Sequence, residues 1–283
     1  MRDAAPITPR KPRLTITPRR SWLPLNPREI WEFRTLLTRF AARDVTLRYR
    51  QTALGVTWVV LQPLLTAGIL AFVFGSVAKI PGPAGIPYFV FSLTGMVAWT
   101  AFSQITNRAS GSLVGNAQLV SKVFFPRLAL PLSTVMSTLI DVGVSLVLLA
   151  VIMAFYGIVP GVAIVLLPVW MLLIIALSLG IGMGTGALMV RYRDVQYLLP
   201  VAVQFLLYAS PVAYALSAVP DDARMVFKVN PLTGLLEGMR WSVLDTARPS
   251  TGLIAYSATA SMLSLLVGLV FFSRMERQFA DVI

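Results

Sequence analysis

Long uncharged runs, separated by short charged or Gly/Pro-rich breaks, make up most of the chain after residue 50. No residue between Arg50 and Lys79 is ionisable. A bilayer core needs about 20 apolar residues in a helix, so this run predicts a first span at about 56–78. Pro81 to Pro87 turns the chain, and a second span follows at 88–107, ending at Arg108. From Leu128 to Val190 only Asp141 is charged, a stretch too long for one crossing. Gly157, Pro160 and Gly161 break it into spans at about 131–156 and 164–189. After a short charged loop, a fifth span is predicted at 196–217 and a sixth at 252–273. Pro63, Pro168, Pro200 and Pro211 lie inside or at the ends of these spans and predict kinks. In lipid, the carbonyls freed at a kink must be met by neighbouring helices or water. The pattern as a whole predicts an all-α integral membrane protein with six transmembrane helices.

Three segments fit no span. Residues 26–48 read as an amphipathic helix, with Asn26 as cap, Pro27 at the first helical position and Glu29 three residues on. Ile30, Phe33, Leu37, Phe40 and Ala41 share one stripe, while Arg28, Glu32, Arg34, Arg39 and Arg43 lie on other faces. Such a basic helix ahead of a span belongs in the membrane interface, or else against a partner. Residues 231–244 put Leu232, Leu235, Leu236, Met239 and Val243 on one stripe, with Gly234, Glu237 and Arg240 elsewhere and Glu237 placed to pair with Arg240. This helix is too short to cross. It is expected to lie in the outer interface or to dip in and return, as an ordinary loop helix or as a gate at the mouth of a pore. Residues 108–127 form the longest loop between spans on the other side.

Composition sharpens this reading. The 283 residues are 57% hydrophobic and only 13% charged, whereas soluble domains keep roughly a quarter of their residues charged. The net charge of +12 has a topological cause. Twelve basic residues precede the first span, three lie at 108–127, two at 191–193 and two at 274–277, against Lys79, Arg224, Lys228, Arg240 and Arg248 on the opposite side. The positive-inside rule then puts both termini in the cytoplasm and removes the need for a nucleic-acid partner. Residues 1–25, rich in Pro and Arg, read as a disordered basic tail, and residues 49–283 as the transmembrane domain.

Chemistry is sparse. The chain has no Cys and no His, which excludes disulfides, thiol nucleophiles and imidazole bases. No phosphate-binding GxxxxGK[ST] loop occurs, and no HExxH or GxSxG motif, so neither catalytic residues nor a metal site is expected. Asp141 is the one ionisable residue well inside an apolar run. It reads either as a functional intramembrane acid or as a structural one paired with Lys122, Arg127 or a hydroxyl. Trp58, Trp99, Tyr208 and Tyr214 are aromatics suited to a belt, to the core, or to the wall of a sugar channel.

Five stretches resemble the transmembrane subunits of type-2 ABC exporters for polysaccharides, the O-antigen and teichoic-acid exporter family. They are RYRQTALGVTWVVLQP (48–63), NAQLVSKVFFPRLALPL (116–132), RYRDVQYLLP (191–200), NPLTGLLEGMR (230–240) and RMERQFADVI (274–283). The resemblance implies a homodimer of six-helix subunits in the bacterial inner membrane, joined to two separate cytoplasmic ATPase subunits that bind the ATP and magnesium. A lipid-linked glycan would pass through the dimer. Coupling to the ATPase would map to Asn116, Leu119, Val120, Lys122, Phe125, Pro126 and Arg127, and to Arg191, Tyr192, Arg193, Asp194 and Val195. The outer gate would carry Asn230, Pro231, Gly234, Glu237 and Gly238. The chain itself is then a transport subunit without cofactor and not an enzyme. The competing readings are a type-2 permease for drugs or lipids, a membrane enzyme acting on polyprenyl-linked sugars, and a structural scaffold.

Overall fold

The structure is a computed structural model that describes residues 31, 33–49, 57–123 and 125–276. The predicted tail at 1–25, the cap signals at Asn26, Pro27 and Glu29, and the last seven residues lie outside these. Among the described residues the fold is entirely helical. Five helices are long and apolar enough to cross a membrane, and each falls on a predicted span.

In chain order the elements are α1 (Arg34–Tyr49), α2 (Thr57–Leu70, continued as a π-helix over Ala71–Val77) and α3 (Tyr88–Gly111). Next come α4 (Ala117–Lys122), α5 (Ala129–Phe155) and α6 (Leu167–Arg191), the last entered through a 3₁₀ turn at Val162–Leu166. The chain continues with α7 (Val195–Tyr208), α8 (Asp221–Val229), α9 (Pro231–Leu244) and α10 (Thr251–Glu276). The fifth predicted span differs from expectation. Helix α7 stops at Tyr208 after 14 residues, so it is about 21 Å long against a bilayer core of about 30 Å. Pro211 has no N–H to donate and turns Ser210 away from helical geometry, which ends the helix there. The remainder of the predicted span, 209–217, is irregular and returns on a 3₁₀ turn at Leu216–Ala218.

Between α2 and α3, burial runs against hydropathy. Helix α3 is the least hydropathic of the five, with mean hydropathy 1.2, yet 78% of its central window is buried. Its interior face carries Ser92, Thr94, Thr106 and Ser110, and Thr94 returns its hydroxyl to the Val90 carbonyl at 2.9 Å. Helix α2, with mean hydropathy 1.9, is only 11% buried over the same measure. The helix richest in small and polar residues therefore lies inside the bundle, and a more uniformly aliphatic one lies outside, as when hydrocarbon is the solvent.

Helices α3, α6 and α10 form the packed centre, with α5 and α2 against α3. Water exclusion does not drive helices together in lipid, so close backbone approach supplies the dispersion energy instead. At the α6–α10 crossing, Gly180 and Gly268 face one another. A Cβ on Gly180 would collide with the Ser264 carbonyl, and one on Gly268 with the Gly180 carbonyl. Ser264 donates across the same crossing to the Leu177 carbonyl at 3.1 Å.

Helix α1 lies on its own chain. Leu37 and Ala41, from the predicted apolar stripe, are both buried, and Leu37 joins the cluster that holds Val120, Phe125 and Leu130.

Candidate functional sites at the two ends of the bundle

At one end, α9 is built into the bundle rather than laid on an interface. The predicted stripe Leu232, Leu235, Leu236, Met239 and Val243 is buried, but so are Gly234, Gly238, Arg240 and Ser242 on the remaining faces. This corrects the expected two-faced helix, and its cause is close packing. Gly238 lies under the Trp170 ring of α6, where a Cβ would come within 2.7 Å, and Gly234 meets Ser257 and Leu253 of α10. Asn230 starts the helix by accepting from the Leu232 N–H at 3.0 Å, and Pro231 occupies the first helical position.

The same helix satisfies the irregular segment that completes the fifth predicted span. Arg240 is 1% exposed. Its Nη1 donates to the Pro211 carbonyl at 2.7 Å and the Tyr214 carbonyl at 3.2 Å, and its Nη2 donates to the Val212 carbonyl. Glu237 pairs with it at 3.2 Å, as the i,i+3 spacing predicted, and also accepts from the Leu216 N–H at 3.3 Å. Asn230 Nδ2 donates to the Ala209 carbonyl at 3.2 Å and to Ser210 Oγ at 2.8 Å. The guanidinium lies 3.9 Å over the Phe91 ring of α3. One turn along, Gly95 leaves the room it needs, since a Cβ there would collide with both the Val212 carbonyl and Arg240. Non-helical backbone at membrane depth is tolerated only where protein satisfies it. Arg240, Glu237 and Asn230 do so from one element. Arg240, Phe91 and Gly95 are absent from the residues the sequence singles out for the gate. The signal for the first was a single Glu/Arg pair, Glu237 and Arg240, in an otherwise apolar helix too short to cross.

At the opposite end, the loop residues expected to couple fall into two sets. Val120 and Phe125 are buried, and Asn116, Leu119, Pro126 and Arg127 are half-buried. Asn116 accepts from Arg43 of α1 at 2.8 Å, the Phe125 ring meets Phe40 edge-on at 5.8 Å, and Arg127 donates to the Glu276 carbonyl at the end of α10. These residues hold three chain segments together. Lys122, with Arg191, Tyr192, Arg193 and Asp194, is exposed, and Val195 is half-buried. Close approach of Gly186 to Ser110 sets the end of α6 beside the end of α3, so both loops occupy the same end of the bundle.

Asp141 is 5% exposed and pairs with Arg108, the last basic residue of α3, at 3.1 Å. Arg108 also donates to Thr138 at 3.0 Å and to Gln104. The cation expected for Asp141 thus comes from the end of the second span, as a helix-to-helix tie. Of the candidate channel aromatics, Trp99 is 6% exposed and packs on Phe102 at 5.6 Å, which places it in the core. Trp58 and Tyr208 are exposed, and Tyr214 is half-buried between Phe74 and Phe227, its hydroxyl donating to the Tyr208 carbonyl at 3.0 Å.

The family described as ABC-2 type transporter matches residues 35–244. The O-antigen export system permease protein RfbA of Klebsiella pneumoniae is 26% identical over 253 residues, 88% of this chain and 95% of that one. Its namesake from Myxococcus xanthus is 29% identical over 256 residues, covering 89% of this chain and 97% of the relative. The polysialic acid transport protein KpsM of Escherichia coli is 28% identical over 242 residues, 83% of this chain and 91% of that protein.

Proposed function

We infer the function from one premise: the chain belongs to the ABC-2 type transporter family, the match running from α1 to α9. It is the membrane-spanning permease subunit of an ATP-driven exporter in the bacterial inner membrane, moving a lipid-linked polysaccharide outward from the cytoplasmic side. The observation that carries this reading is the near end-to-end likeness to export permeases for O-antigen and polysialic acid.

The geometry supports a division of labour. Helices α3, α6 and α10 cross in close backbone contact at the centre of one copy, so the proposed route runs between two copies. The sparsely buried α2 and α7 are the faces available to wall it. Exposed Trp58 and Tyr208 lie on those helices, where aromatic faces meet the apolar faces of sugar rings. Lys122 and the Arg191–Asp194 loop form the cytoplasmic ledge for a separate ATPase, which binds ATP and magnesium. The α9 end is the extracytoplasmic gate.

Coexpression with the partner ATPase, in cells lacking their own export pair, tests the reading through the glycan at the cell surface. The expected result is surface glycan with both subunits, and lipid-linked glycan held inside when either is missing. Undiminished surface glycan without this chain would overturn it. A drug or lipid permease would leave glycan display unchanged, and a membrane enzyme would act on polyprenyl-linked sugar without ATP.

A further inference from the structure

Helix α5 ends in a Schellman turn. Gly157, at φ 68°, donates to the Ala154 carbonyl at 3.1 Å, and Ile158 donates to the Met153 carbonyl at 2.9 Å. Behind this turn lies a cavity of about 440 Å³. That volume falls in the range of about 300–1,000 Å³ typical of small-molecule sites. Leu146, Leu149 and Met153 of α5 form one wall, Leu167 of α6 the other, Ile158 the end, and Val243 of α9 the floor. None of the twelve lining residues has a charged or hydrogen-bonding side chain.

The surroundings identify the occupant. Val151, Phe155, Val159 and Val162, along this stretch of chain, are between 61% and 92% exposed, so the mouth opens onto bilayer hydrocarbon. Water held there needs two or more polar partners, and no lining side chain offers one. A sugar would likewise leave its hydroxyls unpaired. A flexible hydrocarbon chain loses nothing on entry and recovers the dispersion contacts that an empty void forfeits. We propose that this cavity holds an acyl chain of an outer-leaflet phospholipid, which supports α9 through Val243, one turn from Arg240. The leaflet rests on the orientation given under the proposed function; the chemistry of the site does not.

The test uses the permease–ATPase complex in nanodiscs containing phosphatidylethanolamine with a diazirine in its acyl chain. Photolabel should concentrate on peptides spanning 146–167. Filling the cavity with Ala150→Trp, or with the milder Ala150→Leu if the first fails to insert, should reduce that label to the level found on α2. Val147→Trp faces the same lipid outside the lining and should leave it unchanged. Label spread evenly over every lipid-facing helix, or indifferent to both Ala150 variants, would overturn the proposal. So would a disulfide between copies through Ala154→Cys, introduced into a chain with no other cysteine, since it would make this face a subunit contact. Labelling is read without glycan, so its outcome stands whether or not the export reading does.

Discussion

Arg240 shows what a single side chain must supply when water is absent. Three carbonyls, an aromatic face and a carboxylate converge on one guanidinium that no other residue type matches in donor number and shape. Arg240→Met should lower the unfolding free energy of the detergent-purified protein by about 3–5 kcal/mol, because it leaves Glu237 and several carbonyls buried without a donor. Arg240→Lys should recover little of it, since a point charge cannot reach all three carbonyls; equal melting temperatures for Lys and wild type would contradict this. Asp141 supplies a graded comparison. Its partner Arg108 is a quarter exposed, so Asp141→Ala should cost on the order of 2 kcal/mol, less than loss of a fully buried pair. Asp141→Asn should fall between, with export per folded molecule unchanged if the acid is structural. A selective loss of export would make it functional instead.

At the scale of elements, Lys122→Glu or Arg193→Glu should weaken copurification of the ATPase or its stimulation while membrane insertion persists. Both side chains are exposed and bridge nothing within the chain among the described residues. Unchanged stimulation in both would remove them from the coupling surface. A tether across the gate belongs on α8, not on buried α9. Met225 and Val226 are 70% and 71% exposed at that end. Cross-linking Met225→Cys between copies should stop export, and reduction should restore it; undiminished flux in the cross-linked state would dissociate α8 from the gate. These elements differ in how far the sequence revealed them. Uncharged runs located five spans, because hydrocarbon leaves little choice about where charge goes. The same rule lengthened the fifth span by treating 209–217 as helix, since those residues are apolar too. What ends α7 is Pro211 together with partners twenty to thirty residues away, and distance in sequence hides such partners. Helical periodicity found the apolar face of α9 but not its other faces, because packing on all sides needs small residues as well as apolar ones, and Gly234 and Gly238 have no side chain for a pattern to register. The split of the coupling loop into buried struts and exposed contacts was equally invisible, since Asn116 meets Arg43 only after folding.

At the scale of the whole molecule, charge and burial have to agree. The exposed loops Lys122 and Arg191–Asp194 share one end with α1, while Lys79, Arg224, Lys228 and Arg248 lie toward the other. Reporter fusions should therefore find Arg193 on the cytoplasmic side and Lys228 outside, and the reverse result would invert every assignment of gate and coupling surface. The Arg240 network carries a consequence for how the exporter opens. Its carbonyl acceptors sit on the irregular 209–216 segment and its donor on α9, so sliding one past the other by an ångström or two breaks several bonds together in a medium with no substitute for them. The proposed gate accordingly cannot open by α9 swinging out alone like a flap. Helix and irregular segment travel as one riveted piece, and the yielding points lie beyond the rivets, at the Tyr208 end of α7 and at Asp245, whose left-handed backbone at φ 53° closes α9.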